Sequence, residues 1–279
     1  MTMAPLKRKL LHRLDSIPFR YSRRIIFACL LSVPVLATSQ PDLEGVWSPV
    51  FTTQDNEFWQ VEDFACFTGC TAGMYKYLQS LLDDPANDET PFTALMGQAY
   101  GYSARQTTEK LTEAGLKLQA EVSQETDPNI RCQAYGLIRE ATNPLPMQIT
   151  RNGDNLFVQY EEWNQTRTIF LDGREHPENP VPSLQGHSIG YYDGDVLVVE
   201  TVGLQPTYFY THLGGGGHTE QARVVERYTI LEDPRRLTLE LSMTDPVTLK
   251  EPYILTKIWL YTPEVELLVD SCEDTPAQP

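Results

Sequence analysis

"GHSIGYYDGDVLVVET", residues 186–201, decides how the rest of the chain is read. Two runs of β-branched and aromatic residues flank Asp193-Gly194, and such a pair between strand-forming runs is the strongest short-range signal for a tight hairpin. A two-residue loop at Asp193-Gly194 sets Tyr192 opposite Asp195, Ile189 opposite Val198 and His187 opposite Glu200. Side chains alternate across a strand, so His187, Ile189, Tyr191, Val196, Val198 and Glu200 share one face, apolar except at its far end. A carboxylate within reach of an imidazole fixes its tautomer and raises its basicity, as a general base requires. The bland alternative is a salt bridge that holds the hairpin together. A one-residue bulge would put the two groups on opposite faces.

Outward from this hairpin the same rhythm continues. "MQITRNGDNLFVQYEEW", residues 147–163, turns at Asn152-Gly153, and "EEWNQTRTIFL", residues 161–171, turns near Asn164-Gln165, setting Glu162 opposite Arg167. "HTEQARVVERYTIL" turns at Asp233-Pro234 into "LTLELSMTDP", and "YILTKIWLYTPEVELLVDSC" follows. Nearer the N-terminus, "DLEGVWSPVF" reads as a first strand, with Trp47 available to plug one end. Residues 72–125 change character: "AGMYKYLQSLLDD" and "TALMGQAYGYSARQTTEKLTEAGLKLQAEV" show apolar residues at helical spacing, separated by Pro85 and Pro91, predicting a helical insertion packed over the β core. The expected fold class is mainly β: an antiparallel barrel of roughly eight to ten strands with a helical cap, because closure removes exposed edges. A flattened sandwich is its competitor.

The first 39 residues are set apart from that domain, which runs over 40–279. A basic region from Lys7 to Arg24, the apolar run Ile25–Ala37 and the small residues at Ala37, Thr38 and Ser39 spell a secretory signal peptide. Its apolar core, about 13 residues, is short for a membrane span. An uncleaved N-terminal anchor is the alternative. The chain carries a formal net charge of −16, and loss of the basic leader makes it more acidic still. Such a surface repels phosphate backbones and anionic lipid, so neither nucleic acid nor, after cleavage, membrane is an expected partner. The expected location is periplasmic or secreted; the sequence sets no oligomeric state. Cys29 leaves with the leader, and Cys66, Cys70, Cys132 and Cys272 remain. Export favours oxidation, and of the three possible pairings Cys66–Cys70 with Cys132–Cys272 is preferred. A metal at Cys66-x-x-x-Cys70 is disfavoured because no histidine is near.

The mature histidines, His176, His187, His212 and His218, all fall in one stretch. "HLGGGGHTE" places His218 and Glu220 two apart at the start of a strand, projecting to the same side beside a loop that either closes over a ligand or is a plain surface turn. If these meet His187 and Glu200 at one barrel mouth, the site holds two imidazoles and two carboxylates. That set would also suit a divalent metal, although no HExxH or HxH spacing supports one. "GHSIG" superficially matches a GxSxG elbow, but Ser188 sits within a hairpin strand and not at a strand-to-helix turn. The glycine run lacks the Lys-Ser/Thr of a phosphate loop. Asn164 lies in a glycosylation sequon, "NQT".

With these residues in hand, the chain resembles a large family of exported bacterial proteins of unassigned function. The resemblance covers roughly residues 110–274 and runs through "LTEAGLKLQAEVSQETDPNIRC", "RTIFLDGREHP", "GHSIGYYDGDVLVVET", "HTEQARVVERY", "DPVTLKEPYILT" and "LLVDSCED". It implies a lipocalin-like β-barrel and highlights Arg167, Asp172, Arg174, His176, His187, Asp195, Glu200, His218, Glu220, Glu226, Arg227, Cys132 and Cys272. No activity transfers with it. "YTHLGGGG" and the segment from Cys66 to Gln106 depart from the family pattern, which suggests a specialised member.

The expected function is acid–base catalysis without a cofactor, of isomerase, cyclase, lyase or hydratase type, on a small, largely apolar or aromatic molecule held in a barrel cavity. His187 is the base and Glu200 orients it; His218 or Glu220 is the complementary acid; Tyr191 and Arg167 stabilise an oxyanion if they face inward. Glu226, Tyr208, Phe209, Tyr210 and Trp259 shape the pocket. The rivals are a lipocalin-like carrier, a metal-dependent enzyme using the same histidine and carboxylate groups, and a structural envelope protein.

Overall fold

The computed structural model describes residues 40–49, 66, 68–123, 125–208 and 215–268. The chain divides into Met1–Ala37 and Thr38–Pro279, and everything described belongs to the second unit. The expected leader lies outside the described residues.

Both tight hairpins form, and both use a different pair of loop residues from the one expected. Asn152 pairs with Asn155 and Asp193 with Val196, so the loops are Gly153-Asp154 and Gly194-Asp195. Gly153 and Gly194 have φ +61°, whereas neither following aspartate has a positive φ. That is the type II′ pattern, which asks for glycine at the first loop position, and not the type I′ pattern, which needs positive φ at both. The strands flanking these turns are β2 (Met147–Asn152) with β3 (Asn155–Tyr160), and β5 (His187–Asp193) with β6 (Val196–Val202).

Five further strands complete the ring: β1 (Gly45–Ser48), β4 (Thr166–Phe170), β9 (Arg223–Leu231), β10 (Arg236–Thr244) and β11 (Tyr253–Tyr261). They close into a barrel in the order β1-β11-β10-β9-β6-β5-β4-β3-β2, which excludes the sandwich. A short ribbon of β7 (Thr207–Tyr208) and β8 (Gly217–His218) stands apart from it. The barrel is mixed rather than wholly antiparallel, because β4 and β5 run parallel, with Ile169 beside Ser188 and Phe170 beside Ile189. Parallel neighbours cannot be joined by a tight turn. Residues 171–186 supply the return, fastened by Ser183 N–H to Gly203 O and Gln205 N–H to Ser183 O.

Alternation decides which side chains enter the barrel. Leu156, Val158, Ile169, Leu197, Val199, Val224, Tyr228, Leu237, Leu239, Leu241, Leu255 and Trp259 meet in one buried core. The intervening positions look outward, as the exposure of Phe157, Tyr191 and Ile254 records. Trp47 is fully buried, with its indole N–H donating to Leu43 O at 2.9 Å and its ring edge-on to Tyr261.

The helical insertion comprises α1 (Ala72–Leu82), α2 (Phe92–Lys110) and α3 (Glu113–Glu121), with a one-turn α4 (Leu137–Glu140) after it. Thr71 and Thr112 cap α1 and α3 by accepting from Met74 N–H and Gly115 N–H. Met74, Leu78, Leu95, Met96 and Ala99 pack on Ile258, on the outer side of β11. Beyond the short β1, Cys70 exchanges backbone hydrogen bonds with Thr256, so the loop closed by the Cys66–Cys70 disulfide covers an edge of β11. Cys132 is also disulfide-bonded; Cys272 lies outside the described residues.

Candidate active site

The barrel wall divides the residues that the sequence brings together. Arg167, Glu226 and Trp259 are inside and buried. His187, Tyr191 and Glu200 are outside, on the opposite faces of the same sheet.

Inside, Arg167 is fully engaged. It reaches Ser188 Oγ with Nε at 2.9 Å, Thr201 Oγ1 with Nη2 at 2.7 Å and Glu226 with both terminal nitrogens. Tyr228 donates to Glu226 Oε1 at 2.8 Å, and Ser188 and Thr201 share a hydrogen bond of 2.9 Å. Burial disfavours the guanidinium charge, but Glu226 outweighs that and holds Arg167 cationic. Burial, followed by the Glu226 charge, pushes the Tyr228 phenol well above its ordinary range. Sequence reading placed Arg167 opposite Glu162; its cross-strand neighbour is Val158, because the loop from Glu161 to Asn164 is longer than two residues, with Trp163 and Asn164 at positive φ. Its bonds go to protein groups, so it braces the wall instead of awaiting an oxyanion.

A second buried polar cluster escaped the sequence reading. Lys257, fully buried, donates to the Asn143 carbonyl and lies 4.4 Å from the Trp259 ring centroid. Asn143 donates to Glu140 Oε2 at 2.8 Å, whereas Glu140 Oε1 has no hydrogen-bond partner. Burial raises Glu140 to about 8 and lowers Lys257 to about 7. In "YILTKIWLY" the clue was parity: Lys257 shares its face with Tyr253, Leu255 and Trp259.

Outside, the expected pairing of His187 with Glu200 is corrected by the register. The one-residue shift of the turn pairs His187 with Val202 and Ile189 with Glu200. A shift of two in the pairing keeps both groups on one face, now diagonal. The link between them is His176, delivered by the 171–186 crossover. His176 Nδ1 lies 2.8 Å from His187 Nδ1, and its Nε2 lies 3.6 Å from Glu200 Oε1. The second distance exceeds a hydrogen bond but is within electrostatic reach. Arg223 from β9 binds the other Glu200 oxygen. Phe170 stacks on His187 with centroids 5.3 Å apart, and Arg174, paired to Asp172, lies 3.8 Å from the Phe170 centroid. The side chains of His176 and Glu200 keep only 16% and 28% of their exposure, so the cluster is largely shielded from solvent.

These contacts order the protons. The Glu200 carboxylate favours N–H on the His176 nitrogen that faces it, Nε2. Neutral His176 then presents a bare Nδ1, which accepts from His187 Nδ1–H. The lone pair of His187 is left on Nε2, which has no hydrogen-bond partner among the described residues. Burial, with the Arg174 charge second, lowers the His187 pKa below its ordinary value. Burial also lowers His176; Glu200 opposes this, while His187 and Arg223 add to it. Both rings are therefore neutral at pH 7, and one nitrogen is an open base.

The remaining expected site residues do not join this cluster as foreseen. His218 ends the short β8, buried; its Nδ1 donates to Thr219 O at 3.1 Å, and the nearby carboxylate is Asp245 rather than Glu220. Glu220 lies exposed in the turn before β9, so the two do not project side by side from one strand. Tyr191 is 62% exposed on the outer wall and Tyr208 is half-buried in β7. Tyr210, with Phe209, His212 and the first glycine of the loop, Gly214, lies outside the described residues. Sequence reasoning gave His176 no catalytic part, although it belongs to the "DGREHP" motif and lies eleven residues before His187.

Among the described residues, no group of three or more His, Cys, Asp and Glu side chains is arranged to hold a metal ion. No helix among them is long and apolar enough to cross a membrane. The chain matches no protein-family model and none of the curated proteins with which it was compared.

Proposed function

We propose that the chain is an exported acid–base enzyme in which His187 Nε2 removes or returns a proton on a small, largely apolar molecule docked against the outer wall of the barrel. The observation that carries this reading is the relay Glu200···His176···His187, ending in an unoccupied imidazole nitrogen. When His187 takes up a proton it becomes a cation hydrogen-bonded to His176, and Glu200 stabilises the positive charge from the far end. The Phe170 ring and the Ile189–Tyr191 face supply apolar surface beside it. A proton moved in this way without a bound cofactor leads to isomerisation, elimination or cyclisation. Among the described residues, the apolar gap in the core lined by Leu43, Ile149, Leu156, Val158, Ile169, Leu197 and Tyr228 is ≈ 10 Å³, about the space one water needs, so that part of the core does not house a ligand.

Carbon-acid exchange tests the proposal even while the natural substrate is unidentified. Incubation in D2O with a panel of small ketones and unsaturated carbonyl compounds is expected to label at least one of them at carbon, read by mass spectrometry. His187→Gln should abolish that labelling while the protein stays folded. Labelling that persists in His187→Gln, or none across the panel, would overturn the proposal; binding without exchange would favour a carrier.

A further inference from the structure

The inner cluster and, His176 apart, the outer one occupy the same four strands. On β4, Arg167 points in and Phe170 points out. On β5, Ser188 is inside and its neighbour His187 outside; on β6, Thr201 is inside and its neighbour Glu200 outside. On β9, Glu226 is inside and Arg223 outside, and these four strands are consecutive around the barrel. One guanidinium reaches a side chain on each of the other three strands: Ser188 at 2.9 Å, Thr201 at 2.7 Å and Glu226 at 2.9 Å. The contact between β4 and β5 is the parallel pair, recorded at only two positions. The Arg167 bond to Ser188 reinforces one of the two shortest backbone ladders of the barrel, the other being that of β1 with β11.

We propose that Arg167 is a positioning residue for the outer relay: through Ser188, Thr201 and Glu226 it fixes the relative placement of the strands that carry Phe170, His187, Glu200 and Arg223. The proposal rests on the acid–base reading above. The imidazole contact of 2.8 Å depends on where β5 holds His187. The 3.6 Å gap from Glu200 to His176 depends on β6. The Arg223 bond that aims Glu200 depends on β9. A displacement of about 1 Å between strands would break the first contact and lengthen the second. Ser188 and Thr201 each lie one residue from the group they place, so there is little backbone slack between brace and relay. This gives a reason for a charged pair at a position where leucine or isoleucine would fill a barrel of this kind.

The test reads the imidazoles directly. Thr201→Val is isosteric and removes one Arg167 bond without leaving a buried charge; Ser188→Ala removes another. NMR of ring-labelled histidine in the purified protein follows the His187 titration and the hydrogen-bonded proton between His176 and His187. The double variant is expected to stay folded, move the His187 midpoint by at least half a pH unit toward the ordinary imidazole value, and lose the shared-proton resonance. Thr201→Ser, which retains the hydroxyl, should restore wild-type behaviour. Glu140→Gln, an interior change that does not touch Arg167, should leave the His187 signals in place. A folded double variant with an unchanged titration would overturn the positioning role, and so would an equal shift in Glu140→Gln. If the double variant fails to fold, Thr201→Val alone decides on the same readout. The relay is tested apart from the brace by His176→Gln and Glu200→Gln in an otherwise intact protein. If those leave the His187 titration unmoved, the relay reading fails whatever the interior variants do.

Discussion

His187 is poised by burial and by two neighbours with different effects. Burial and the Arg174 guanidinium disfavour its cation, and His176 holds one nitrogen so that the other stays bare. A base must be deprotonated to act, so activity should be full above the depressed pKa and fall as pH drops through it. Arg174→Gln removes a nearby positive charge and should move that acid limb to higher pH. Glu200→Gln removes the charge that steadies the relay and should move it lower, with a loss of about 10²-fold in the proton-transfer rate. Both are read from the pH dependence of carbon-acid exchange. The same shift contributes to stability with a definite sign. The unfolded imidazoles bind protons more readily than the folded ones, so their contribution is present above the unfolded value of 6.5 and is lost as pH falls below it.

Among the elements, the β5–β6 hairpin shows how far local sequence carries and where it stops. The existence of the hairpin, the shared face and the pairing of strand with strand were all legible in "GHSIGYYDGDVLVVET". The register was not, because Asp-Gly-Asp satisfies a type I′ loop on its first two residues and a type II′ loop on its last two, and the choice belongs to the sheet around it. His176 was legible as a motif residue but not as a partner, since a crossover of sixteen positions leaves no periodic trace. Its attachment depends on the chain entering β5 tightly. Gly186 has φ +64°, and a Cβ there would fall 2.7 Å from Val202 O. Gly186→Ala should therefore cost about 1–3 kcal/mol, seen as a lower denaturant midpoint, and should also erase the shared-proton signal of the two histidines.

For the whole molecule, the interior charges set expectations that surface reading does not. Arg167→Met alone strands Glu226 and should destabilise by about 3–5 kcal/mol, whereas Arg167→Met with Glu226→Leu should recover most of that loss in thermal unfolding. The second pair acts through pH. Glu140 at about 8 keeps a proton that the unfolded chain releases near 4.5, so its contribution falls as pH rises between those values, by about 1.4 kcal/mol per unit. Lys257 at about 7 lacks a proton that the unfolded chain keeps up to 10.5, so its contribution rises with pH over that interval. The two oppose each other between 7 and 8. Glu140→Gln should abolish the fall and leave the protein more stable than wild type at pH 8, measured by the unfolding midpoint across pH. The barrel as a class was readable from its turns and alternation. Of the interior charges, Lys257 was marked by parity within its own strand but was not read, whereas Glu140, on the one-turn α4, leaves no periodic signal.

Closure also has a kinetic side. The strand at Gly45–Ser48 is locked between Met147–Asn152 and Tyr253–Tyr261. The ring therefore stays open until segments about 200 positions apart have met, a slow search compared with forming any single hairpin. A chain truncated after Pro252 would keep most of its hairpins yet expose two raw strand borders, and it should associate with its own copies instead of persisting as a soluble monomer.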